Sequence, residues 1–232
     1  MIEEPPLLTI KRASRRPTAQ QIAAFQDVPT SFVVDAMYGA GSLSPAIKPV
    51  GDGLDIACQA SGPALTVDCG PADILALLGA LESIRAGDIV ISAFHGHQGC
   101  AAAGDRVAAM MKNCGAAGFV TDGPVRDYAG IVEVGLPVWC TGLNPGSPYS
   151  KGPGTVGFPV QIGGREVETG DMIVADRDGV VVVPFEHLDQ VIGMLAKVRA
   201  LETELEKELN NGLRTPQAIV ELLAGDQAKY VD

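Results

Sequence analysis

Apolar and polar positions change their spacing along this chain, and the changes mark its elements. From Thr18 to Tyr38 the apolar residues Ile22, Phe25, Val33, Val34 and Met37 predict two short helices, broken at Pro29, with Thr30 or Ser31 capping the second. The apolar runs Ala64 to Val67 and Asp88 to Ser92 read as buried strands around a helix over Ala72 to Arg85, which a Gly87-Asp88 turn closes. A glycine-punctuated loop, His95-Gly96-His97-Gln98-Gly99, leads to a small-residue helix from about Cys100 to Asn113 and then to the strand Gly118 to Thr121. Two consecutive βαβ units are therefore expected.

Beyond Val138-Trp139 the pattern turns to short strands: Phe158 to Ile162, Met172 to Ala175 and Val180 to Val183, joined through Gly163-Gly164 and Asp178-Gly179. A helix from about Pro184 to Asn210 carries Leu188, Val191, Ile192, Leu195, Val198, Leu201, Leu205 and Leu209 on one stripe. The expected organisation is an arm over residues 1–17, an α/β domain over 18–183 and C-terminal helices over 184–232 that pack on a neighbouring subunit. The acidic run Glu202 to Glu208 reads as a solvated helix face.

Composition narrows the function classes. A net charge of −11 repels nucleic acid phosphates and anionic lipid, so neither is an expected partner. Hydrophobic residues make up 47% and charged residues 19%, which excludes whole-chain disorder. The longest apolar stretches fall short of the roughly 20 residues of a membrane span, and Met1 to Pro6 has no signal-peptide pattern, so the cytoplasm is the expected location. Five scattered cysteines without a C-x-x-C read as buried free thiols. Glycine, at 28 of 232 residues, exceeds the roughly 7% average and needs explaining.

Several motifs offer chemistry. Gly152-Pro153-Gly154-Thr155-Val156-Gly157 matches the dinucleotide fingerprint by letter, but it leads into a strand rather than from a strand into a helix, and so reads as a turn. His95 and His97 have no visible third metal ligand, and hydrogen bonding is the favoured role. Lys112 is a weak Schiff-base candidate. The strongest set is Gly104-Asp105 followed by Asp122-Gly123-Pro124-Val125-Arg126-Asp127. Here a guanidinium fork for a carboxylate stands beside an aspartate able to hold a hard divalent ion, a combination that fits a 2-oxo acid. The bland alternative is an Arg–Asp pair that only fastens a loop.

The ordered runs G-D-R-V at 104–107, T-D-G-P-V-R-D at 121–127, G-L-P-V-W at 135–139, G-T-V-G at 154–157 and G-D-M-I-V-A-D-R-D-G-V-V-V-V-P at 170–184 resemble the RraA-like family. That resemblance implies a swivelling β/β/α domain assembled as a homotrimer or homohexamer. It further implies a class II aldolase using Mg²⁺ or Mn²⁺, which cleaves 4-hydroxy-2-oxo diacids to pyruvate and can also decarboxylate oxaloacetate. By the same resemblance Gly104, Asp105, Arg106, Val107 and Arg126 contact substrate, Asp105 and Arg126 act in catalysis, and Asp127 binds the metal. Glu202, Glu204, Glu206 or Glu208 of a neighbouring subunit is implied as a further ligand. Two positions depart from the pattern: Gly130 stands where an acid is common, and the His95–Gly99 loop is unusual. The alternative implied function is a non-catalytic regulator that binds a ribonuclease.

Overall fold

A computed structural model describes residues 6–231; Met1 to Pro5, the start of the expected arm, and Asp232 lie outside the described residues. In chain order the elements are β1 (Leu8–Ile10), α1 (Ala19–Ala24), α2 (Thr30–Ala36), β2 (Lys48–Pro49), β3 (Ala60–Asp68), α3 (Leu75–Ala80), β4 (Ile89–Ala93), α4 (Asp105–Asn113), β5 (Gly118–Thr121), α5 (Tyr128–Val134) and β6 (Val138–Cys140). The β-rich half follows as β7 (Gly154–Val156), β8 (Val160–Ile162), β9 (Arg165–Val167), β10 (Met172–Ala175) and β11 (Val180–Val183), and then α6 (Leu188–Asn210) and α7 (Gln217–Ala224) close the chain.

The main sheet runs β1-β7-β3-β4-β5-β6-β2, with β3 to β6 mutually parallel. It holds three βαβ units where the hydrophobic pattern predicts two. The third helix, α5, has seven residues and ends at Gly135 in the left-handed conformation (φ 68°), so it is too short to register a helical period. Strand β3 is longer than expected because it serves two partners. Ala60 to Pro63 pairs antiparallel with β10, and Ala64 to Asp68 pairs parallel with β4. At the switch Gly62 is obligatory, since a Cβ there would lie 2.0 Å from the Gly87 carbonyl oxygen.

Strands β10 and β11 separate two cores. Met172, Val174, Val181 and Val183 face α1, α2 and α6, together with Phe25, Val33, Leu188, Val191 and Leu195. The alternate residues Ile173, Ala175, Val180 and Val182 join the main core around the parallel sheet. Both faces are buried, so these strands read as continuous apolar runs, as strands covered on both sides do.

Local chemistry sets the helix limits. Thr18 and Gln21 form a capping box at α1. Thr30, expected as a cap, is instead the first residue of α2, and its N–H and hydroxyl both donate to the Asp176 carboxylate at 2.8 Å. Helix α3 starts later than expected because Ala72 has φ 61° and Asp73 Oδ1 accepts from Leu75 N. Between β1 and α1, Arg15 pairs with Glu168, Asp171 and Glu186, and Arg16 pairs with the buried Asp88. Val198 is the last buried residue of the α6 stripe; Leu201, Leu205 and Leu209 are exposed, as are Glu202 to Glu208. No helix among the described residues is long and apolar enough to cross a membrane.

Candidate active site

The carboxyl ends of β4 and β5 carry the loops that hold the candidate residues, the edge where open α/β sheets gather ligands. Residues 100–104, expected in a helix, instead run as a strap zipped to the next loop. Ala102 N donates to Pro124 O at 2.7 Å, and Arg126 N donates to Ala103 O at 3.0 Å. This strap delays α4 until Asp105 and lays Gly104 against Arg126-Asp127. A Cβ at position 104 would lie 2.5 Å from Asp127 Oδ2 and 3.0 Å from Arg126 Cγ, so a side chain there would displace the Asp127 carboxylate from its place beside Arg126.

Asp127 caps α5 in the left-handed conformation (φ 59°), a strained state for a non-glycine residue and one that recurs at functional sites. Its Oδ2 forms an ion pair with Arg126 Nε at 3.2 Å, and Arg126 Nη1 donates to Ser147 Oγ at 2.6 Å. The guanidinium is thus oriented while both side chains remain over a third exposed. Asp105, first residue of α4, accepts from Arg106 N and lies over Gly130 on α5. A Cβ at Gly130 would stand 2.6 Å from Asp105 Oδ2, so Asp105 fills the space that a side chain at 130 would need. That gives the departure at Gly130 a steric reason.

The structure therefore gathers Gly104, Asp105, Arg126 and Asp127 at the adjoining starts of two helices, where anions are favoured. Arg106 is exposed and forms no side-chain hydrogen bond or ion pair among the described residues, and Val107 packs into the main core. Three further residues escaped the sequence reading. Ser147 positions Arg126, while Gln98 and Asn144 stitch the loops together: Gln98 Nε2 donates to Asp122 O, and Asn144 Nδ2 donates to Gln98 O. No local period marks these loop residues. The one available signal was their place in Gly- and Pro-rich segments beside the motif.

Asp122, read as part of the motif, works as a clasp: its carboxylate accepts Phe94 N at 2.5 Å and Gly96 N at 2.9 Å. The two histidines part company. His95 Nε2 stands 2.8 Å from Asp68 Oδ1, whereas His97 packs edge-on against Phe94. Lys112, at the far end of α4, donates to the Val134 carbonyl and so closes α5. Four of the five cysteines are buried and Cys114 is exposed; burial raises the Cys69 and Cys140 thiols to about 11, too high for a nucleophile. Gly154 to Val156 form β7 in the sheet, with no helix after them, as the turn reading of that glycine run requires.

Among the described residues no group of three or more His, Cys, Asp and Glu side chains could hold a metal. Asp127, with Asp105 on the adjoining helix, offers hard oxygen donors and leaves most positions of an ion free. Such a set fits Mg²⁺ or Mn²⁺, which keep several waters and take one or two carboxylates.

The family model described as RraA-like, Aldolase/RraA, matches residues 30–182. A protein of Halalkalibacterium halodurans named "Putative 4-hydroxy-4-methyl-2-oxoglutarate aldolase" is 32% identical over 200 residues, 86% of this chain and 93% of the relative. Among solved structures, Streptomyces coelicolor RraAS2, described as an unusual member of the RNase ES inhibitor RraA protein family, superposes with TM-score 0.67 at 29% identity, covering 84% of this chain and 98% of that one. An uncharacterized protein of Pseudomonas syringae pv. tomato superposes with TM-score 0.75 at 22% identity over 86% of this chain and 92% of its own, a likeness of fold.

Proposed function

The chain belongs to the RraA-like family, and from that membership we propose that it is a divalent-metal-dependent carbon–carbon lyase, cleaving 4-hydroxy-2-oxo diacids to pyruvate and decarboxylating oxaloacetate as a second activity. The observation that carries the proposal is the meeting of Arg126 and Asp127 over Gly104, with Asp105 over Gly130 at the start of the adjoining helix. The name of the 32% identical relative supports the same substrate class.

In this reading Arg126, braced by Ser147, takes the carboxylate next to the 2-oxo group through its planar fork. Asp127 and Asp105 would hold Mg²⁺ or Mn²⁺, which when bound supplies Lewis-acid polarisation of the 2-oxo oxygen. The positive ends of α4 and α5 and the Arg126 guanidinium favour the negative charge that builds as the C3–C4 bond breaks. Asp105 is placed to accept or return a proton through water. Gly104, Arg106 and Val107 are the further substrate contacts of this proposal, Gly104 and Val107 by shaping the cleft wall.

The proposal extends to assembly as a homotrimer or homohexamer through the C-terminal helices. Supporting it are Leu205 and Leu209 of α6 and Leu222 and Leu223 of α7, apolar side chains that are 40–55% exposed. In such an assembly one of Glu202, Glu204, Glu206 and Glu208 would reach a neighbour's cleft. The domain division at residues 17 and 183 and a cytoplasmic location belong to the same reading.

A coupled lactate dehydrogenase assay over a panel of 2-oxo acids, with and without EDTA, tests it. EDTA-sensitive pyruvate release is expected from 4-hydroxy-4-methyl-2-oxoglutarate and from oxaloacetate. No release from any member, together with capture of a basic ribonuclease segment, would favour the regulator reading, which the likeness to the Streptomyces RNase ES inhibitor family member supports.

A further inference from the structure

We propose that Tyr128, clamped by the turn between β2 and β3, is a positioning residue that holds Asp127 in its metal-binding conformation. The inference rests on the divalent-metal reading of the Arg126–Asp127 site. The Tyr128 hydroxyl donates to Asp55 Oδ2 at 2.6 Å, linking residues 73 positions apart. Its ring lies against Gly51, where a Cβ would meet the hydroxyl and stand 2.6 Å from Cζ and Cε2. Residue 51 is also at φ 58°, so backbone and neighbour both select glycine there.

The turn that grips Tyr128 is itself held firmly. Val50 and Ile56, at its two ends, are buried in the main core. Between them Gly51, Asp52 and Gly53 are all left-handed, at φ 58°, 53° and 65°. Asp52 is held from two sides, its carboxylate accepting from Lys48 Nζ at 3.0 Å and its carbonyl from Arg177 Nη2 at 3.3 Å. Such a run persists only where its surroundings fix it.

Asp127 lies between two anchored segments. Before it, Arg126 N donates to Ala103 O at 3.0 Å and fixes the chain that leaves β5. After it, Tyr128 begins α5. The middle and end of that helix are fixed by the buried Ile131, by Asp105 over Gly130 and by Lys112 on the Val134 carbonyl, which leaves its first side chain to the clamp. Asp127 makes no side-chain capping hydrogen bond of its own, so nothing local stabilises its φ of 59° and ψ of 46°. The left-handed turn is what joins the two segments, and it lays the carboxylate over Gly104 beside Arg126. With the ring released, Asp127 is free to relax toward an ordinary conformation and carry its carboxylate away. Tyr128 acts through Asp127, since its own side chain meets Asp55 and Gly51.

The test reads ion binding without substrate: Mn²⁺ is titrated into the full chain and followed by the electron paramagnetic resonance of the free ion, in wild type, Tyr128→Phe, Asp55→Ala and the double variant. Wild type is expected to bind Mn²⁺, and each single variant to bind it about 10-fold more weakly while keeping wild-type circular dichroism and thermal midpoint. The double variant is expected to lose no more than either single one, because both substitutions break the same contact. Unchanged Mn²⁺ affinity in Tyr128→Phe, or losses that add in the double variant, overturns the clamp and leaves the metal-dependent reading standing. Weaker binding accompanied by altered circular dichroism also overturns it, since a folding defect then accounts for the loss. A wild type that binds no Mn²⁺ overturns both.

Discussion

Two glycines decide what the cleft can hold. At position 104 a Cβ would meet Asp127 Oδ2, and at position 130 it would meet Asp105 Oδ2. Gly104→Ala is therefore expected to lower kcat/KM for pyruvate release by about 100-fold, the cost of displacing reacting groups by around an ångström, with little change in thermal midpoint. Gly130→Asp, which supplies the acid common at that position, is expected to lower activity too by evicting Asp105; higher activity would contradict this packing. Arg126-Asp127 and Gly104-Asp105 were legible because they form one ordered run of chemistry-bearing residues. Ser147, Gln98 and Asn144 were not, because their roles exist only once three loops close on one another. The Gly130–Asp105 contact was likewise invisible, since an absent side chain announces no partner.

Elements with a period long enough to read matched their expected limits well: β5, β10 and β11 coincide with the apolar runs, and α6 follows its stripe. Limits set by distant partners did not, as Asp176 at the start of α2 and the strap before α4 illustrate. The segment joining β1 to α1 likewise gains its order from remote acids. Asp88 is only 4% exposed in its side chain and meets Arg16. Arg16→Ala leaves that carboxylate buried without its cation and is expected to cost about 3 kcal/mol in urea unfolding. Burial raises the Asp88 carboxyl above its ordinary value of 3.8, against the pull of the Arg85 amide and Arg16. A carboxyl raised in the folded state binds more protons there than when unfolded, so its contribution to stability falls as pH climbs from 3.8 through the raised value. The stability of wild type relative to Asp88→Asn should accordingly decline over that window and then level. A rise across the same window would contradict the burial assigned to Asp88.

At the scale of the whole molecule, the glycine excess is partly accounted for. Gly62 serves the strand switch, Gly163 and Gly164 turn the β8–β9 hairpin with φ 57° and 81°, and Gly104 and Gly130 open the cleft. The net charge of −11 bears on partners more than on substrate, because Arg126 meets an anion locally whatever the total. The C-terminal half of α6 and α7 leave Leu205, Leu209, Leu222 and Leu223 open to solvent. Leu205→Asp with Leu209→Asp should reduce a trimer or hexamer to smaller species in light scattering while circular dichroism is preserved; an unchanged mass would place the contact elsewhere. The most direct test of the central claim is pyruvate release by Asp127→Ala beside wild type at saturating Mg²⁺, with oxaloacetate and 4-hydroxy-4-methyl-2-oxoglutarate as substrates. The account predicts a wild type silenced by EDTA and a variant slower by about 100-fold or more on both substrates; full cleavage by Asp127→Ala would contradict it.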